Sequence, residues 1–263
     1  MKKITFNQLQ KLINEDRYDD EVDALNKKIQ DIRKQQQKSH IDNLNGKIKN
    51  LRNVKELNRG YFTDTDKWHL EKLIIPNNIT SIGENALRFT DTLHYLSIPG
   101  SVKKIGDYAF YDCGLWKLSL SEGIVEIGDS AFRKCDHLSG EVKIPNSVKK
   151  IGKNAFSGCE SLNKISIGNG IKIIEDETFF SCLELESVII PNSVVSIGDE
   201  AFQWCGFKSI EIPNSVTTIG FKAFDSEGLK SIYFIGKTID EIKQMEYYPW
   251  GIRNPEKAIH VKS

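Results

Sequence analysis

The sequence lacks the features of a membrane protein and of a nucleic-acid-binding protein. No apolar run among its 263 residues approaches the ~18–20 residues that a membrane-spanning helix needs. Its 36 basic and 36 acidic side chains cancel, so no net field draws the chain toward nucleic acid or an anionic membrane. The basic opening Met1-Lys2-Lys3 has no apolar segment behind it, unlike a secretory signal. These absences predict a cytoplasmic protein that does not bind nucleic acid.

Patterns of catalytic and metal-binding residues are also missing. The five histidines form no pattern with a serine or cysteine nucleophile, and no glycine-rich phosphate loop follows a strand. No Cys-x-x-Cys or His-x-x-x-His pair groups ligands around one point, as a zinc site requires. We therefore expect a protein that is not an enzyme and that holds no cofactor or metal.

What the sequence does contain is a repeat of about 23 residues. Its pattern is Leu-x-x-Leu-x-Ile-Pro-Asn-Ser-Val-x-x-Ile-Gly-x-x-Ala-Phe-x-x-Cys. A fixed period of about 20–30 residues predicts a solenoid, in which each repeat forms one turn and contacts its neighbours. Seven copies and a partial eighth start, in order, at Leu70, Leu93, Leu115, Leu138, Leu162, Leu185, Phe207 and Leu229.

Each copy is expected to fold into a short strand followed by a corner, a second short edge and a short helical turn. Strand-like alternation opens the sixth copy, and its inward residues are Leu185, Val188 and Ile190. Strands of successive turns then lie side by side, parallel and about 4.8 Å apart. The rest of this copy predicts, in order, a corner at Pro191-Asn192, a second buried edge at Val194 and Ile197, and a short helical turn at Ala201-Phe202.

Three residue types recur at one position per copy and are expected to form columns inside the stack. The glycines either take a positive φ or allow close approach to the next turn. The phenylalanines fill the core, and the cysteines are buried, reduced small hydrophobes. The glycines are Gly83, Gly106, Gly128, Gly152, Gly198 and Gly220; the phenylalanines are Phe110, Phe132, Phe156, Phe179, Phe202 and Phe224; the cysteines are Cys113, Cys135, Cys159, Cys182 and Cys205.

The pattern Ile-Pro-Asn-Ser-Val-x-x-Ile-Gly-x-x-Ala-Phe-x-x-Cys closely resembles the leucine-rich repeats of the BspA type, over residues 70–235. The resemblance implies a leucine-rich-repeat solenoid of short parallel strands and short helical turns, preceded here by an α-helical N-terminal segment. It implies a bacterial, protist or phage-encoded binding module, often a surface adhesin, without catalytic residues. The C-terminal tail more weakly resembles tails of such proteins encoded by phages of gut bacteria.

Two copies depart from the pattern and predict a local irregularity in the stack. The copy from Leu138 carries one extra residue near Gly140. The copy from Leu162 has Gly168 in place of proline, and Glu175 and Thr178 at the usual glycine and alanine positions. The irregularity is either drift or a place shaped for a partner.

The flanks divide the chain into a helical N-terminal segment (1–60), the solenoid (61–235) and a C-terminal cap (236–263). In the cap, Thr238 begins a short helix whose Ile239, Ile242 and Met245 share one side. The following segment, Tyr247 to Gly251, is interpreted as a lid on the last turn, with a binding loop as the alternative.

The N-terminal segment carries two apolar seams spaced three and four residues apart. They predict either a helical hairpin or one longer helix. The seams oligomerise or dock on a partner, pack on the first repeat as its cap, or belong to a largely flexible segment. The first seam is Val22, Leu25, Ile29 and Ile32, and the second is Ile41, Leu44, Ile48 and Leu51.

The outward positions of the repeat supply the candidate binding residues. Aromatic residues are the best candidates, because they are enriched in interface hot spots. Lysines concentrate in the second, fourth and fifth copies, beside a row of aspartates that predicts a solvated face with charge pairs across turns. The candidates are Tyr95, Trp116, Trp204, Phe180, Lys149 and Lys150.

The sequence therefore predicts a non-enzymatic protein–protein interaction module that presents a rigid solenoid surface to a macromolecular partner. Because no export signal is visible, a phage protein that binds or inhibits a host factor, such as a defence protein, fits these constraints. Its location is then the virion or the host cytoplasm. The alternative is a structural virion component or a cell-surface adhesin, anchored by its N-terminal helices.

Overall fold

A computed structural model of the chain describes the backbone of residues 19–262 and the side chains of residues 24–262. The chain divides into two compact units, Met1–Gly46 and Lys47–Ser263. Helix α1 runs over Asp19–Asn50. It holds both seams except Leu51, which follows its last residue, so the seams lie on one longer helix and not on a hairpin. None of the helices in the described part of the chain has the length and the apolarity to cross a bilayer.

The two seams of α1 differ in exposure. In the first seam, Leu25 and Ile29 are half-buried and Ile32 is 54 % exposed. Val22 lies in α1, but its side chain is outside the described residues. In the second seam Ile41 is exposed, Ile48 is half-buried, and Leu44 and Leu51 are buried. Every side chain from residue 30 to residue 43 is exposed.

The end of α1 belongs to the start of the solenoid. A 3₁₀ turn over Leu51–Asn53 follows α1, and strand β1 (Glu56–Leu57) pairs in parallel with β3 (Ser81–Ile82). Lys47 Nζ lies 2.5 Å from Asp66 Oδ2, and the Asn78 amide donates to the Leu51 carbonyl over 2.8 Å. For Leu51, these contacts support the packing alternative over the docking one.

The solenoid consists of two rows of strands, and each strand pairs in parallel with the equivalent strand of a neighbouring turn. We call the rows the long-strand face and the short-strand face. The long-strand face contains β2 (Lys72–Ile74), β4 (Tyr95–Ile98), β6 (Lys117–Leu120), β8 (Gly140–Lys143), β10 (Leu162–Ser166), β12 (Ser187–Ile189), β14 (Ser209–Ile212), β16 (Ser231–Ile235) and β17 (Ile259–Lys262). The short-strand face contains β1, β3, β5 (Lys104–Ile105), β7 (Glu126–Ile127), β9 (Lys150–Ile151), β11 (Ile173–Ile174), β13 (Ser196–Ile197) and β15 (Thr218–Ile219).

The pairing of strands between turns is interrupted in both faces. The sheets of the long-strand face are β2-β4-β6, β8-β10-β12 and β14-β16-β17, and those of the short-strand face are β1-β3-β5-β7-β9 and β11-β13-β15. The β8–β10 register shifts between Leu162 and Lys164, which pair with the consecutive residues Gly140 and Glu141 and leave Asn163 without a partner in the ladder. The predicted irregularity in the fourth and fifth copies is therefore present. Val188 and Ile190 are only half-buried, unlike the inward residues expected. Their strand, β12, lies at the end of its sheet and does not pair with β14.

The phenylalanine column forms the centre of the core. Successive rings from Phe110 to Phe224 are stacked, with centroids 5.2–5.8 Å apart and interplanar angles of 3–16°. Each of these rings is fully buried, and burying one contributes on the order of 2–3 kcal/mol. The segments that carry them are hydrogen-bonded turns, in which Phe110 N–H donates to the Ala131 carbonyl of the next turn over 2.8 Å.

The cysteine column lies beside the rings as predicted, with all five thiols free and buried. Each thiol donates to a main-chain carbonyl of an earlier turn; Cys159 Sγ lies 3.2 Å from the Phe132 carbonyl oxygen. Ser226 continues the column, and its hydroxyl donates to the Phe202 carbonyl over 3.2 Å. The position therefore requires a small hydrogen-bond donor, which a thiol or a hydroxyl supplies.

The glycine column allows close approach between turns. A Cβ on Gly128 would lie 2.7 Å from Asp107 N and 2.8 Å from Gly106 C, closer than non-bonded atoms approach. No glycine of the column takes a positive φ. Of the two explanations offered by the sequence, close approach is the one that holds.

The remaining helices are short and lie near the two ends of the solenoid. They are α2 (Asp64–Lys67), α3 (Ile239–Lys243) and α4 (Pro255–Ala258). Thr238 caps α3 as expected, with its hydroxyl accepting from Glu241 N–H, and Ile242 is buried. Trp250 is 1 % exposed and its ring lies 5.7 Å from that of Phe234. Trp250 is thus packed as a lid on the last turn, whereas Tyr247 is 52 % exposed.

Candidate protein-binding ridge

The outer edge of the solenoid carries a position whose backbone is left-handed in six successive turns. It lies two residues after each phenylalanine of the column from Phe110 to Phe202, and after Leu87 in the first copy. Its occupants and φ angles are Phe89 (62°), Asp112 (56°), Lys134 (60°), Gly158 (72°), Ser181 (56°) and Trp204 (60°). A left-handed φ costs a non-glycine residue roughly 1–2 kcal/mol. The fold therefore requires an unusual backbone here but no aromatic ring.

Phe89 nevertheless belongs to a group of aromatic rings around one guanidinium. Arg88 Cζ lies 4.4 Å from the ring centroid of Phe89, 4.8 Å from that of Tyr111 and 5.6 Å from that of Tyr108. The Phe89 and Tyr111 rings meet edge to face at 5.6 Å. Phe89 is 53 % exposed and Tyr108 36 % exposed, and Tyr108 also has a positive φ, of 55°. We call these four residues the arginine–aromatic cluster.

Trp204 forms a second aromatic site, five turns after Phe89. Its ring centroid lies 4.9 Å from that of Phe180, so the structure brings two of the predicted binding residues together. Trp204 is 53 % exposed and the neighbouring Leu183 50 % exposed. Both line a groove of about 500 Å³ that the Arg253–Glu227 ion pair, 2.9 Å long, bounds on the far side.

A shallow groove of about 380 Å³ occupies the turns between these two sites. Lys134 connects it to the first site, since its ammonium lies 5.9 Å from the Tyr111 ring centroid, and Phe180 connects it to the second. Its charged lining residues are Asp112, Arg133, Lys134, Asp136 and Glu160. We use the name turn ridge for the arginine–aromatic cluster, this groove and the Phe180–Trp204 pair.

The other predicted residues lie away from these groups of contacts. Trp116 is 56 % exposed and stacks on His94 with centroids 4.2 Å apart. Tyr95 is half-buried at the start of β4, where Lys72 Nζ lies 5.0 Å from its ring centroid. Lys149 and Lys150 are exposed on the short-strand face. Their roles in binding remain predictions.

The aspartate row serves mainly to satisfy backbone donors, which the sequence did not reveal. The side chain of each aspartate accepts an N–H from the following turn. The pairs are Asp107 Oδ1 with Asp129 N (2.9 Å), Asp129 Oδ1 with Lys153 N (3.0 Å), Asp176 Oδ1 with Asp199 N (3.0 Å) and Asp199 Oδ1 with Phe221 N (2.7 Å). We call these residues the aspartate ladder. These carboxylates are held by the fold and are not a free acidic binding surface.

One member of the ladder also forms an ion pair across turns. Asp176 Oδ2 lies 2.7 Å from Lys153 Nζ. Burial alone raises the pKa of Asp176, but the hydrogen bonds from Lys153 and from Asp199 N–H outweigh it and lower the pKa below the usual value. The ion pair raises the pKa of Lys153. The expected charge pairing is therefore found here, although hydrogen bonding to the backbone is the ladder's common feature.

The family of the chain follows from its repeats. The sequence model of the BspA type leucine-rich repeat region matches residues 55–184 and 172–248, with six copies. The chain belongs to the BspA-type leucine-rich repeat family. The match covers the whole turn ridge and the aspartate ladder.

Solved structures of leucine-rich repeat proteins are similar to this BspA-type chain. A leucine-rich cell surface protein from Faecalibacterium prausnitzii is 28 % identical with a TM-score of 0.54, over 62 % of this chain and 47 % of that chain. The leucine-rich repeat protein of T. pallidum is 25 % identical with a TM-score of 0.43, over 57 % of this chain and 81 % of that chain. The chain thus spans about half the length of the Faecalibacterium protein. No curated protein sequence matches it.

The BspA-type repeat and the solenoid fold are typical of non-enzymatic binding modules. The five thiols are the strongest nucleophiles of the repeat region, and burial raises the pKa of Cys113 and of Cys182 to about 12. They are therefore inert thiols held inside the core. Among the residues that the structure describes, no three metal-ligating side chains are grouped where they could hold an ion.

The cytoplasmic location expected from the sequence stays a prediction, because BspA-type proteins are often found at the cell surface. The arginine–aromatic cluster was missed as a site because the sequence alone does not show which positions have a left-handed backbone. Aligning the copies on the phenylalanine column does supply a signal. Phe89 and Trp204 then share a position with Asp112, Lys134, Gly158 and Ser181, which shows that the fold accepts small or polar residues there.

Proposed function

We propose that the chain is a non-enzymatic protein-binding module that contacts its partner through the turn ridge. One observation carries this proposal. At a backbone position where glycine is the least strained residue, Phe89 and Trp204 present rings that are 53 % exposed. Exposed aromatic residues at a strained backbone position, where the fold accepts small or polar residues in other turns, indicate a function outside the fold.

The composition of the turn ridge supports a protein partner. Hot spots in protein interfaces are enriched in tryptophan, tyrosine and arginine, and the ridge contains all three in Trp204, Tyr111 and Arg88. Arg88 is held in place by the rings around it and by its hydrogen bond to Asn85 Oδ1, 3.3 Å long. Side chains that are ordered before binding lose little conformational entropy on association.

The length of the ridge also fits a protein interface. Five turns separate Phe89 from Trp204, which at about 4.8 Å per turn corresponds to roughly 24 Å. An interface of standard size buries about 800 Å² on each partner, an area that a surface of this length can supply. The mixed charges of the central groove would form the polar part between two aromatic anchors.

A comparison of two variants in a pull-down experiment tests the proposal. In Phe89→Ser/Trp204→Ser, the ridge loses both rings but keeps side chains of the kind found at Ser181. In the control Trp68→Ser, an equally large ring is removed at a position that is 73 % exposed and lies outside the ridge. We expect the proteins captured by the wild type to be retained by the control and reduced at least about tenfold by the double variant.

Circular dichroism and melting temperatures establish beforehand that both variants are folded. If the double variant captures the same proteins in the same amounts as the wild type, the ridge is not the binding surface. A narrower form of the same proposal is that a phage encodes the chain and that its partner is a host defence factor. Identification of the captured proteins by mass spectrometry tests that form.

A second candidate function is that of a cell-surface component or adhesin. It is favoured by the similarity to the leucine-rich cell surface protein of Faecalibacterium prausnitzii. In this case α1 would connect the solenoid to an anchoring structure. Labelling of intact native cells with a membrane-impermeant amine reagent distinguishes the candidates: a surface protein is labelled before lysis, and an internal one only after lysis.

A further inference from the structure

The short-strand face carries a concentration of positive charge in a protein whose overall charge is zero. Its outward side chains in the second to fifth turns include five exposed lysines, which we call the lysine strip. They are Lys103, Lys104, Lys149, Lys150 and Lys172. The strands β5, β7 and β9 hold Lys104, Glu126 and Lys150 directly beside one another in register.

The strip has far more ammonium groups than carboxylates. Glu126 is shared between Lys104 and Lys150, at 3.3 Å and 3.9 Å. Lys103 donates instead to the carbonyls of Gly100 and Gly123, over 2.8 Å and 3.0 Å. For Lys149 and Lys172, the described part of the chain contains no ion-pair partner within 4.0 Å. Most of the positive charge of the strip is therefore not neutralised by the protein.

The carboxylates that flank the strip are already engaged by the backbone. Glu122 accepts the N–H groups of Asn146 and Ser147 over 2.9 Å and 3.0 Å. On the other side, Asp107 and Asp129 accept N–H groups as members of the aspartate ladder. Their charges reduce the field of the strip, but their side chains are not available to turn onto the lysines.

Apolar side chains lie among the lysines. Val125 is 42 % exposed, Ile173 48 % and Val195 41 %. A partner that only neutralised charge would leave these residues in water, whereas a peptide with apolar residues between its carboxylates would cover them. A nucleic-acid backbone offers phosphates without such apolar groups, and Glu126 in the middle of the strip would repel it.

We propose that the lysine strip is a second binding surface, separate from the turn ridge, and that it takes an acidic protein segment with interspersed aliphatic residues. The extended segment would place carboxylates against Lys149 and Lys172 and aliphatic side chains against Val125 and Ile173. Charge complementarity of this kind mainly raises the association rate and the specificity, and salt weakens it.

Fluorescence anisotropy with a labelled 16-residue peptide of alternating Glu and Leu/Val tests the proposal on the full chain. The strip variant is Lys149→Gln/Lys172→Gln. The matched control, Lys117→Gln/Lys208→Gln, removes the same charge from exposed lysines outside the strip. We expect the strip variant to weaken peptide binding on the order of tenfold at low salt, and the control less than twofold. Because Phe89→Ser/Trp204→Ser should leave peptide binding unchanged, failure of the turn ridge and failure of the strip are separable.

Three outcomes overturn the proposal. In the first, the wild type does not bind the peptide at 50 mM salt. In the second, both lysine variants weaken binding equally, which indicates that the peptide is attracted by the general electrostatic field of the protein and not by the strip. In the third, a single-stranded oligonucleotide of the same charge binds more tightly than the peptide and loses affinity in the strip variant, which indicates a nucleic-acid surface.

Discussion

Lys153 Nζ lies 2.7 Å from Asp176 Oδ2, at the turn where a lysine stands in the position that Asp129 and Asp176 occupy in the neighbouring turns. Unlike those aspartates, the Lys153 side chain accepts no N–H from the next turn. It forms an ion pair with Asp176, whose other carboxylate oxygen accepts the Asp199 N–H of the following turn. The ion pair joins the two halves of the aspartate ladder beside the break between β9 and β11.

Asp176→Asn tests the stability that this ion pair contributes. The amide oxygen can still accept the Asp199 N–H, so only the charge is lost, and for a part-exposed pair we expect a decrease of about 0.5–1 kcal/mol at pH 7. Because the pKa of Asp176 is lowered in the folded state, this contribution is present above the unfolded pKa of about 4 and is lost as the pH falls through the lower folded pKa. Urea unfolding of the wild type and the variant at pH 7 and at pH 3 measures the difference in their free energies of unfolding at each pH.

Asp107→Asn is the control for this experiment, because Asp107 caps a turn without a lysine partner. Its effect should be smaller at pH 7. Equal losses in the two variants would show that the ion pair with Lys153 adds nothing to the hydrogen bond.

Glycine substitutions separate the two kinds of special backbone position. Gly158→Ala places a Cβ where φ is 72° and the nearest atoms are at ordinary van der Waals distances of 3.6–3.7 Å. We therefore expect it to cost about 1–2 kcal/mol through backbone strain alone. Gly128→Ala meets the backbone of the preceding turn at 2.7 Å, so it forces the turns apart and costs about 3 kcal/mol or more.

The control for the glycine series is Gly46→Ala, at an exposed position of α1 with nothing within 4 Å of the added Cβ. Alanine favours a helix by about 0.8–1.0 kcal/mol over glycine, so this variant should be as stable as the wild type or more stable. Thermal unfolding gives the order. A Gly128→Ala protein that melts with the wild type would contradict close approach as the reason for the glycine column.

The buried thiols predict a loss of stability at alkaline pH. The pKa values of Cys113 and Cys182 are about 12 in the folded state, against about 8.5 in an unfolded chain. Their contribution is complete below pH 8.5 and declines as the pH rises toward 12, because the unfolded state then releases protons that the folded state retains. Urea midpoints measured between pH 7 and pH 10 should therefore fall as the pH increases.

The double variant Cys113→Ser/Cys182→Ser should show a smaller alkaline decrease, and serine keeps the hydrogen-bond donor that Ser226 supplies in the same column. In the native wild type, a thiol reagent at pH 8 should modify the cysteines only as fast as the protein unfolds. Rapid modification without unfolding would mean that the column is accessible.

The two seams of α1 predict different effects of mutation. On a helix of about 3.6 residues per turn, the centres of the two seams lie roughly 100° apart around the helix axis. One partner helix therefore cannot cover both seams. Leu51 is 1 % exposed, and Leu51→Ala should cost about 2–5 kcal/mol of stability. Ile32 is 54 % exposed, and Ile32→Lys should leave stability within about 0.5 kcal/mol.

Light scattering checks the oligomerisation predicted for the first seam. If Leu25, Ile29 and Ile32 join two chains, the wild type has a multiple of the monomer mass, and Ile32→Lys reduces it to one chain. A wild type that is already monomeric at micromolar concentration would show that the exposed seam does not mediate self-association.

The repeat made much of the core predictable, because a residue that recurs at one position in every turn must meet its own equivalents. The stacked rings from Phe110 to Phe224, the cysteine column and the irregularity near Gly140 all follow from counting residues. The role of the aspartate ladder did not follow, because the unpaired N–H groups that it satisfies are created by the coiling of the backbone. Arg88 was missed for a similar reason: its three aromatic neighbours come from two turns.

The interruptions of the two faces do not coincide. The long-strand face is broken between β6 and β8, where β7 and β9 remain paired, and between β12 and β14, where β13 and β15 remain paired. The short-strand face is broken between β9 and β11, where β8 and β10 remain paired. No plane between two turns therefore crosses only broken ladders. At each break in one face, the paired strands of the other face still hold the two turns together. Mechanical extension should therefore unfold the solenoid from its ends inward before it separates in the middle.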